Sequence, residues 1–143
     1  MTEEAKELIK YRISKSYTVF KEAKALFDLN LLFGTTNRLY YSCFYAVLAL
    51  LILQNLNSKT HKGVMHLFYK NFIEKGIVDK KWNNLYHRIF DLRNEGDYMD
   101  DVEIEIEEVR ELISEVKEFI DAINDYITKE IGRIDSNIVE TVR

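Results

Sequence analysis

Eight aliphatic residues between Val102 and Ile127 recur in alternating steps of four and three positions, which is the spacing of a helical seam. A second apolar stripe runs beside this seam, and its residues are Leu112, Phe119 and Tyr126. The apolar face is therefore wider than a two-stranded coiled coil needs, and it predicts a helix that packs in the core of a bundle. Asp100 and Glu103 resemble a capping box and mark the expected start of this fifth helix.

The rest of the chain also reads as helical, because it contains no proline and its five glycines fall mostly where helical patterns begin or end. Four further helices are predicted. The first runs from Thr2 to Leu29, and the second follows a break at Gly34–Thr36 and runs to Leu56. The third runs from an N-cap at Ser58 to Gly76, and the fourth is capped by Asp79 and carries Trp82 to Leu92. Long helices joined by short loops pack as antiparallel neighbours. The sequence therefore predicts an all-α, up-and-down bundle of four main helices plus one shorter helix. Residues 1–131 are expected to form this single domain, followed by a polar tail at 132–143 that frays.

Composition limits the compartment in which this chain is expected to work. Its single cysteine, Cys43, cannot form an intramolecular disulfide and lies in an apolar run, which favours a reducing compartment. The N-terminal residues are acidic and polar, without the pattern of a secretory signal. The uncharged run 39–53 is shorter than the roughly 18–20 residues that a membrane-spanning helix needs. A cytoplasmic protein with no membrane association is therefore predicted.

The charge of the chain is unevenly distributed. The formal net charge of −4 argues against a dedicated nucleic-acid protein. Residues 59–93, however, hold eight Lys or Arg against three Asp or Glu, and they include all three histidines. This stretch is either a local basic patch that attracts phosphate or an ordinary solvated face.

The predicted second helix contains an apolar run, 37–53, that nevertheless carries polar groups near its start. Arg38, Tyr41 and Tyr45 stand at positions i, i+3 and i+7, so they share one face of that helix. Burying such groups without partners costs about one to several kcal/mol. The face is therefore either a hydrogen-bonded seam in the core or the wall of a binding site.

Three short motifs follow one another along the chain, and their residues are Asn37-Arg38-Leu39-Tyr40-Tyr41-Ser42-Cys43-Phe44-Tyr45-Ala46, Lys59-Thr60-His61-Lys62-Gly63-Val64 and Leu92-Arg93-Asn94-Glu95-Gly96-Asp97-Tyr98. Together they resemble a HEPN domain of the small stand-alone prokaryotic branch, over about Ala5 to Ile127. The resemblance implies a helical bundle that forms a homodimer and a toxin–antitoxin pair with a minimal nucleotidyltransferase. It also implies, from many relatives, ribonuclease activity that needs no metal.

The resemblance is incomplete at the residues that would cut RNA. HEPN ribonucleases resemble one another in an arginine that is followed, after four to six variable residues, by a histidine. Arg93 and Asn94 match the start of this pattern, but Tyr98 stands at the four-residue spacing and Asp100 at the six-residue spacing. Histidine exchanges a proton near neutral pH, whereas an unperturbed tyrosine titrates near pH ~10. His61 is the remaining motif histidine, and it can supply the proton transfer if the third and fourth helices bring it near Arg93.

Each of these residues also has a purely structural explanation. Asp97 lies four positions after Arg93 and can form an intrahelical ion pair or a cap with it. Arg38 either pairs with Asp97 or Glu95 to close the bundle, or faces a ligand. His61 stands in the first turn of its predicted helix, where it can be an ordinary exposed or cap-linked histidine.

Two functions of different classes are therefore predicted. In the first, a toxin dimer binds RNA or a nucleotide in a cleft and cleaves RNA with Arg93, Asn94 and His61. In the second, the protein is a non-catalytic module that binds a nucleotide, a nucleic acid or the nucleotidyltransferase partner through the same cleft. The residues expected to contact the ligand are Arg38, Tyr41, Tyr45, Lys62, Asp97 and Tyr98. The histidines lack the spacing of a metal site, so no metal and no cofactor are predicted.

Overall fold

The computed structural model describes the backbone at residues 1–98 and 104–142 and the side chains at residues 1–94 and 104–136. Its five α-helices are α1 (Glu3–Asp28), α2 (Leu32–Ile52), α3 (His61–Phe68), α4 (Lys80–Tyr98) and α5 (Ile106–Val142), and a π-helical turn at Tyr69–Ile73 continues α3. No strand occurs within the described backbone ranges. The predicted all-α, up-and-down bundle of four main helices and a shorter one is confirmed.

The turn between α1 and α2 lies earlier than the sequence predicted. Asn30 adopts the left-handed conformation with φ 59°, and α2 begins at Leu32, so the expected break at Gly34–Thr36 is wrong. Asparagine enters the left-handed region more readily than most residues, which lets it end α1 sharply. Gly34 lies inside α2, and its missing side chain suits the close approach of α1: a Cβ on Gly34 would stand 3.2 Å from Leu26 Cδ1.

The end of α2 also differs from the prediction by about one turn. The helix ends at Ile52, rather than at Leu56, because Asn55 enters the left-handed region with φ 55°. The Leu56 N–H then donates to the Leu51 carbonyl oxygen at 3.0 Å. This hydrogen bond is typical of a Schellman motif. It gives a donor to the Leu51 carbonyl group near the end of the helix, where the last carbonyl groups have no partner within the helix.

Helix α2 lies at the centre of the bundle and contacts each of the other four helices. Leu39 and Leu50 are completely buried, so the run 39–53 is a core helix, as predicted. Ser16 of α1 and Ser42 of α2 each donate to the other's carbonyl oxygen, at 2.6 and 2.9 Å, which satisfies these buried hydroxyls. Throughout the described part of the chain, none of the helices combines the length and the apolarity that crossing a membrane requires.

The start of α3 is organised by a compact cap. Thr60 is the N-cap, and its hydroxyl oxygen accepts a hydrogen bond from the Gly63 N–H at 2.9 Å. The predicted cap, Ser58, instead accepts a hydrogen bond from the Thr60 N–H at 3.4 Å. Glycine at position 63 fits this cap, because a Cβ would stand 2.0 Å from Ser58 Oγ and 2.8 Å from Thr60 Oγ1, and both hydroxyls would have to move. The cap sets the position of His61, which is the first residue of α3.

Thr60→Ala is expected to lower the free energy of unfolding by about 1 kcal/mol, because the Gly63 N–H loses its hydrogen-bond acceptor. Urea denaturation followed by circular dichroism measures this change. The matched control is Thr18→Ala, at an exposed position in the middle of α1. That variant should be as stable as the wild type or slightly more so, because alanine is the better helix former. Equal unfolding midpoints for the two variants would contradict the capping role.

Helix α4 begins as predicted, and α5 is longer than predicted. Asp79 Oδ1 accepts a hydrogen bond from the Lys81 N–H at 2.9 Å, as expected of a cap. The capping box expected at positions 100 and 103 lies outside the described residues. The sequence predicted a frayed polar tail at 132–143, but α5 continues past Gly132 as far as Val142. Asp135 in this extension contacts α1: Lys6 Nζ donates to an Asp135 carboxylate oxygen at 3.1 Å.

Both apolar stripes of α5 face the core at positions 109–127, whereas Ile106 in the first turn is 41% exposed. Leu112 and Phe119 of the second stripe are completely buried, as is Val116 of the seam, so the wide face predicted for this helix is confirmed. The Phe119 ring lies 6.2 Å from the Phe68 ring of α3 and 6.3 Å from the Tyr86 ring of α4. These aromatic contacts hold α3 and α4 together on one side of the bundle.

Candidate functional site

The beginning of α3 and the last turns of α4 meet over the aromatic face of α2. His61 of α3 contacts Tyr40 and Tyr41 of α2, and Arg93 of α4 contacts the same two rings. Arg38, one turn earlier in α2, lies over the Tyr41 ring. We call these five residues the Arg–His cluster. The three motifs, which are far apart in the sequence, thus converge at one place.

His61 is held by a hydrogen bond and by aromatic rings. Its Nδ1 lies 2.5 Å from the hydroxyl oxygen of Tyr40, which is completely buried. The imidazole stacks on Phe44, with 4.5 Å between ring centroids and 16° between the planes. The Tyr41 ring meets it edge to face at 5.8 Å. Nε2 is therefore the ring nitrogen that the Tyr40 contact does not use.

The environment of His61 favours its neutral form. Burial lowers the pKa of His61 below its ordinary value, and the positive charge of Arg93 lowers it further. A neutral imidazole can accept a proton at pH ~7. Burial raises the pKa of Tyr40, so its hydroxyl keeps its proton. Because a tyrosine hydroxyl both donates and accepts hydrogen bonds, the Tyr40 contact is compatible with a proton on either nitrogen of His61.

Arg93 is oriented by the two tyrosines and by Asn94. Its Nη2 donates to the Tyr41 hydroxyl oxygen at 3.3 Å, and its Nη1 donates to Asn94 Oδ1 at 3.4 Å. The central guanidinium carbon lies 5.2 Å from the Tyr40 ring centroid and 5.3 Å from that of Tyr41, within the range of cation–π attraction. The Arg93–Asn94 pair predicted from the sequence is therefore a physical contact, in which Asn94 helps to orient the guanidinium.

Arg38 contacts partners that the sequence did not suggest. Its Nη2 donates to Asn37 Oδ1 at 2.8 Å, and its Nη1 lies 3.8 Å from Glu22 Oε1 in α1. The guanidinium carbon also lies 5.2 Å from the Tyr41 ring centroid. The Arg38 side chain is 33% exposed. A second cation that solvent can reach therefore stands beside Tyr41.

Tyr45 and Lys62 lie at the margins of the cluster. The Tyr45 ring is 6.1 Å from the Tyr41 ring, and the Lys15 ammonium lies 4.6 Å from the Tyr45 centroid. Arg38, Tyr41 and Tyr45 thus share one face of α2, as their spacing predicted. Lys62 is exposed and lines an adjoining cavity between α3 and α4.

The other predicted site residues lie at the end of α4. Glu95, Asp97 and Tyr98 belong to this helix, but their side chains are outside the part of the chain whose side chains the structure describes. The pairing of Arg38 with Asp97 or Glu95 stays a prediction. The ligand contacts of Asp97 and Tyr98 stay predictions as well.

Two residues that hold His61 were absent from the residues predicted to form the site. Tyr40 supplies the hydrogen bond and Phe44 supplies the stacked ring. Both belong to the aromatic motif of α2, and their spacing of four positions puts them on one side of that helix. This spacing was the available signal, but it does not reveal that the start of α3 packs against that side.

The cluster contains the groups that phosphodiester chemistry needs. The guanidinium groups of Arg38 and Arg93 can bind phosphate oxygens and stabilise the negative charge that develops on them. His61 can exchange a proton near neutral pH. The cluster can therefore bind a phosphate group and exchange a proton with a hydroxyl beside it.

Comparison with known proteins agrees with the motifs and the fold. The family model described as "HEPN domain" matches residues 3–126. A UPF0332 protein of Thermotoga maritima is 36% identical over 110 residues, which cover 77% of this chain and 83% of that protein. A Methanocaldococcus jannaschii protein named "Putative toxin" is 31% identical over 101 residues, which cover 71% of this chain and 69% of that protein. A UPF0332 protein of Archaeoglobus fulgidus is 34% identical over 90 residues, which cover 63% and 71% of the two chains. With its helical bundle and its three convergent motifs, this chain belongs to the HEPN domain family.

Proposed function

We propose that this protein is a metal-independent ribonuclease that acts as the toxin of a cytoplasmic toxin–antitoxin pair. In this proposal a cleft between two copies binds RNA, and His61, Arg93 and Asn94 carry out the cleavage. One observation carries it: His61 and Arg93 contact the same two tyrosine rings. His61 thereby supplies an imidazole beside the motif arginine, although Tyr98 occupies the usual histidine position.

The proposed reaction needs only proton transfer and charge stabilisation. Neutral His61 takes the proton of a ribose 2′-hydroxyl, whose oxygen forms a bond to the adjacent phosphorus. The bond from phosphorus to the 5′ oxygen breaks, and that oxygen takes a proton from a protonated imidazole or from water. The products are a 2′,3′-cyclic phosphate and a 5′-hydroxyl end. Arg93 and Arg38 stabilise the extra negative charge on the phosphate oxygens during this exchange.

An apolar strip beside the cluster supports the dimer. On α1, the exposed fraction is 42% for Leu8 and 58% for Tyr11, and on α2 Tyr45 is half-buried. The Lys15 ammonium lies within 5.8 Å of the Tyr11 centroid and 4.6 Å of the Tyr45 centroid, so the two rings belong to one surface. Because Tyr45 borders the Arg–His cluster, two copies that pack through this strip bring their clusters into one cleft.

Light scattering at micromolar concentration is expected to give about 34 kDa, which is twice the 17.0 kDa of one chain. Leu8→Arg should shift the mass toward that of one chain, because it puts a charge into the apolar strip. Ile77→Arg is the matched control. Ile77 is 39% exposed and belongs to the segment that connects the π-helical turn to α4, away from the apolar strip on α1 and α2. A wild-type mass of one chain would refute the dimer cleft.

The relatives support the toxin role. Two Methanocaldococcus jannaschii proteins in the comparison are named "Putative toxin". Because the chain resembles small prokaryotic HEPN proteins, we expect a minimal nucleotidyltransferase as its antitoxin partner. A nucleotidyltransferase gene beside this one, and a stable complex of the two coexpressed proteins, would support the pair. Normal growth of a host that produces this chain without a partner would contradict the toxin role.

The ribonuclease activity is tested by mixing the purified protein with structured and single-stranded RNA in excess EDTA. Cleavage that leaves 2′,3′-cyclic phosphate ends is the expected result. The second candidate function, a non-catalytic module for RNA, nucleotide or partner binding, is favoured by Tyr98 at the histidine position. RNA binding that depends on Arg93 and is never followed by cleavage would reject the ribonuclease and favour this module.

A further inference from the structure

A cavity of about 370 Å³ lies between α3 and α4, next to the Arg–His cluster, and its lining includes Lys62, His66, Tyr69, His87, Phe90 and Asp91. His66 and Tyr69 follow Lys62 at steps of four and three positions, and Phe90 and Asp91 lie three and four positions after His87. One face of α3 with its π-helical continuation and one face of α4 therefore form the walls. We infer that this cavity is a nucleotide subsite, which holds one base and its phosphate of a single-stranded RNA. The neighbouring phosphodiester of the same strand lies at the Arg–His cluster. The inference rests on the proposed RNA-binding function.

The cavity adjoins the cluster along α3 and α4. Lys62 directly follows His61, and the Phe90 ring lies 5.7 Å from the Tyr40 ring. Seven positions separate Lys62 from Tyr69, which corresponds to about 10 Å along a helix. The cavity thus extends away from the cluster over a distance comparable with the length of a nucleotide.

The lining of the cavity offers one cation to a phosphate group. The charged side chains among its described lining residues are Lys62, which is next to the cluster, and Asp91. Lys62 is exposed and supplies a charge that pairs with phosphate. His66 and His87 add ring nitrogens that donate or accept hydrogen bonds. The cavity therefore offers polar contacts at several points on an otherwise apolar wall.

Tyr69 and Asp91 suit a base rather than a second phosphate. Tyr69 is 45% exposed and presents an aromatic surface on which a base can stack. The half-buried Phe90 ring adds an apolar wall. The Asp91 carboxylate repels phosphate, but it accepts hydrogen bonds from the amino groups of a base. Phosphate contact at Lys62 and base contact at Tyr69 together define a site for one nucleotide.

Fluorescence anisotropy with a labelled 2′-O-methyl RNA single strand, which cannot be cut through its 2′ oxygens, tests this subsite. Tyr69→Leu is expected to weaken binding about tenfold, because the stacking surface is lost, whereas Tyr69→Phe keeps it. Lys62→Ala should weaken binding and reduce the slope of log affinity against log salt concentration by about one. The matched charge control is Lys129→Ala, at an exposed position on α5.

The outcomes separate the subsite from the function on which it rests. Binding that depends on Arg93 but is unchanged by Tyr69→Leu and Lys62→Ala would overturn the subsite and leave the proposed function standing. Wild-type protein that binds no RNA at low salt would overturn the proposed function, and the subsite with it. Light scattering accompanies each variant. If Tyr69→Leu changes the oligomeric state, the cavity between α3 and α4 is a contact surface between two copies of the chain, and the subsite is overturned.

Discussion

His61→Ala is expected to slow RNA cleavage by a factor on the order of 10² to 10⁴, the contribution of a positioned proton-transfer group. RNA affinity should change much less, because Arg93 and Arg38 keep their charges. Single-turnover cleavage in EDTA measures the first effect, and anisotropy with 2′-O-methyl RNA measures the second. A His61→Ala protein that cuts RNA at the wild-type rate would remove His61 from the mechanism.

The matched control is His66→Ala, between one and two turns farther along α3. His66 is exposed and lines the adjoining cavity, so its replacement should affect RNA binding more than the cleavage of bound RNA.

The pH dependence of cleavage provides a second check on His61. Neutral His61 is the proposed base, so the rate should rise with pH through its pKa and then level off. Burial and Arg93 lower that pKa below the ordinary value of 6.5, so the plateau should be reached at a lower pH than for an unperturbed histidine. A rate that still rises steeply above pH ~8 would contradict this role.

Arg93→Ala is expected to reduce cleavage by a factor on the order of 10² to 10³, as for removal of a donor that stabilises developing charge. RNA binding should also weaken, because a phosphate contact is lost. The same substitution should raise the pKa of His61 part of the way toward its ordinary value, since burial lowers this pKa most and the charge of Arg93 lowers it further. A titration of the imidazole protons by NMR measures this shift without any RNA.

Two further arginine variants sharpen this test. Arg88→Ala removes a charge from the same helix, but Arg88 is half exposed and pairs with Glu115 at 3.1 Å. It should leave both the cleavage rate and the His61 pKa close to the wild type. Arg93→Lys keeps the charge but loses the planar donor group, so it should keep much of the pKa effect and still cleave poorly. An Arg93→Ala protein with unchanged cleavage and an unchanged His61 pKa would show that the two side chains do not act together.

Helical periodicity predicted the elements well wherever one face is buried. The second stripe of α5 contains Leu112 and Phe119, which are completely buried because a repeat close to the helical period keeps its members on one side. The ends of the helices were predicted less well. Gly34 and Ser58 read as a break and a cap, but Gly34 lies inside α2 and Thr60 caps α3. Such ends depend on left-handed residues and on how closely neighbouring helices approach, and neither is visible in a pattern of apolar residues.

The sequence by itself determined which residues bring cations and an imidazole to this protein, because Arg38, His61 and Arg93 each belong to a recognisable motif. It also determined that Arg38 and Tyr41 share a face, since faces within one helix follow from the period of that helix. Only the tertiary structure decided that His61 and Arg93 meet on Tyr40 and Tyr41. The physical reason is that periodicity leaves the register between packed helices open, and that register follows from how their side chains interdigitate in the core.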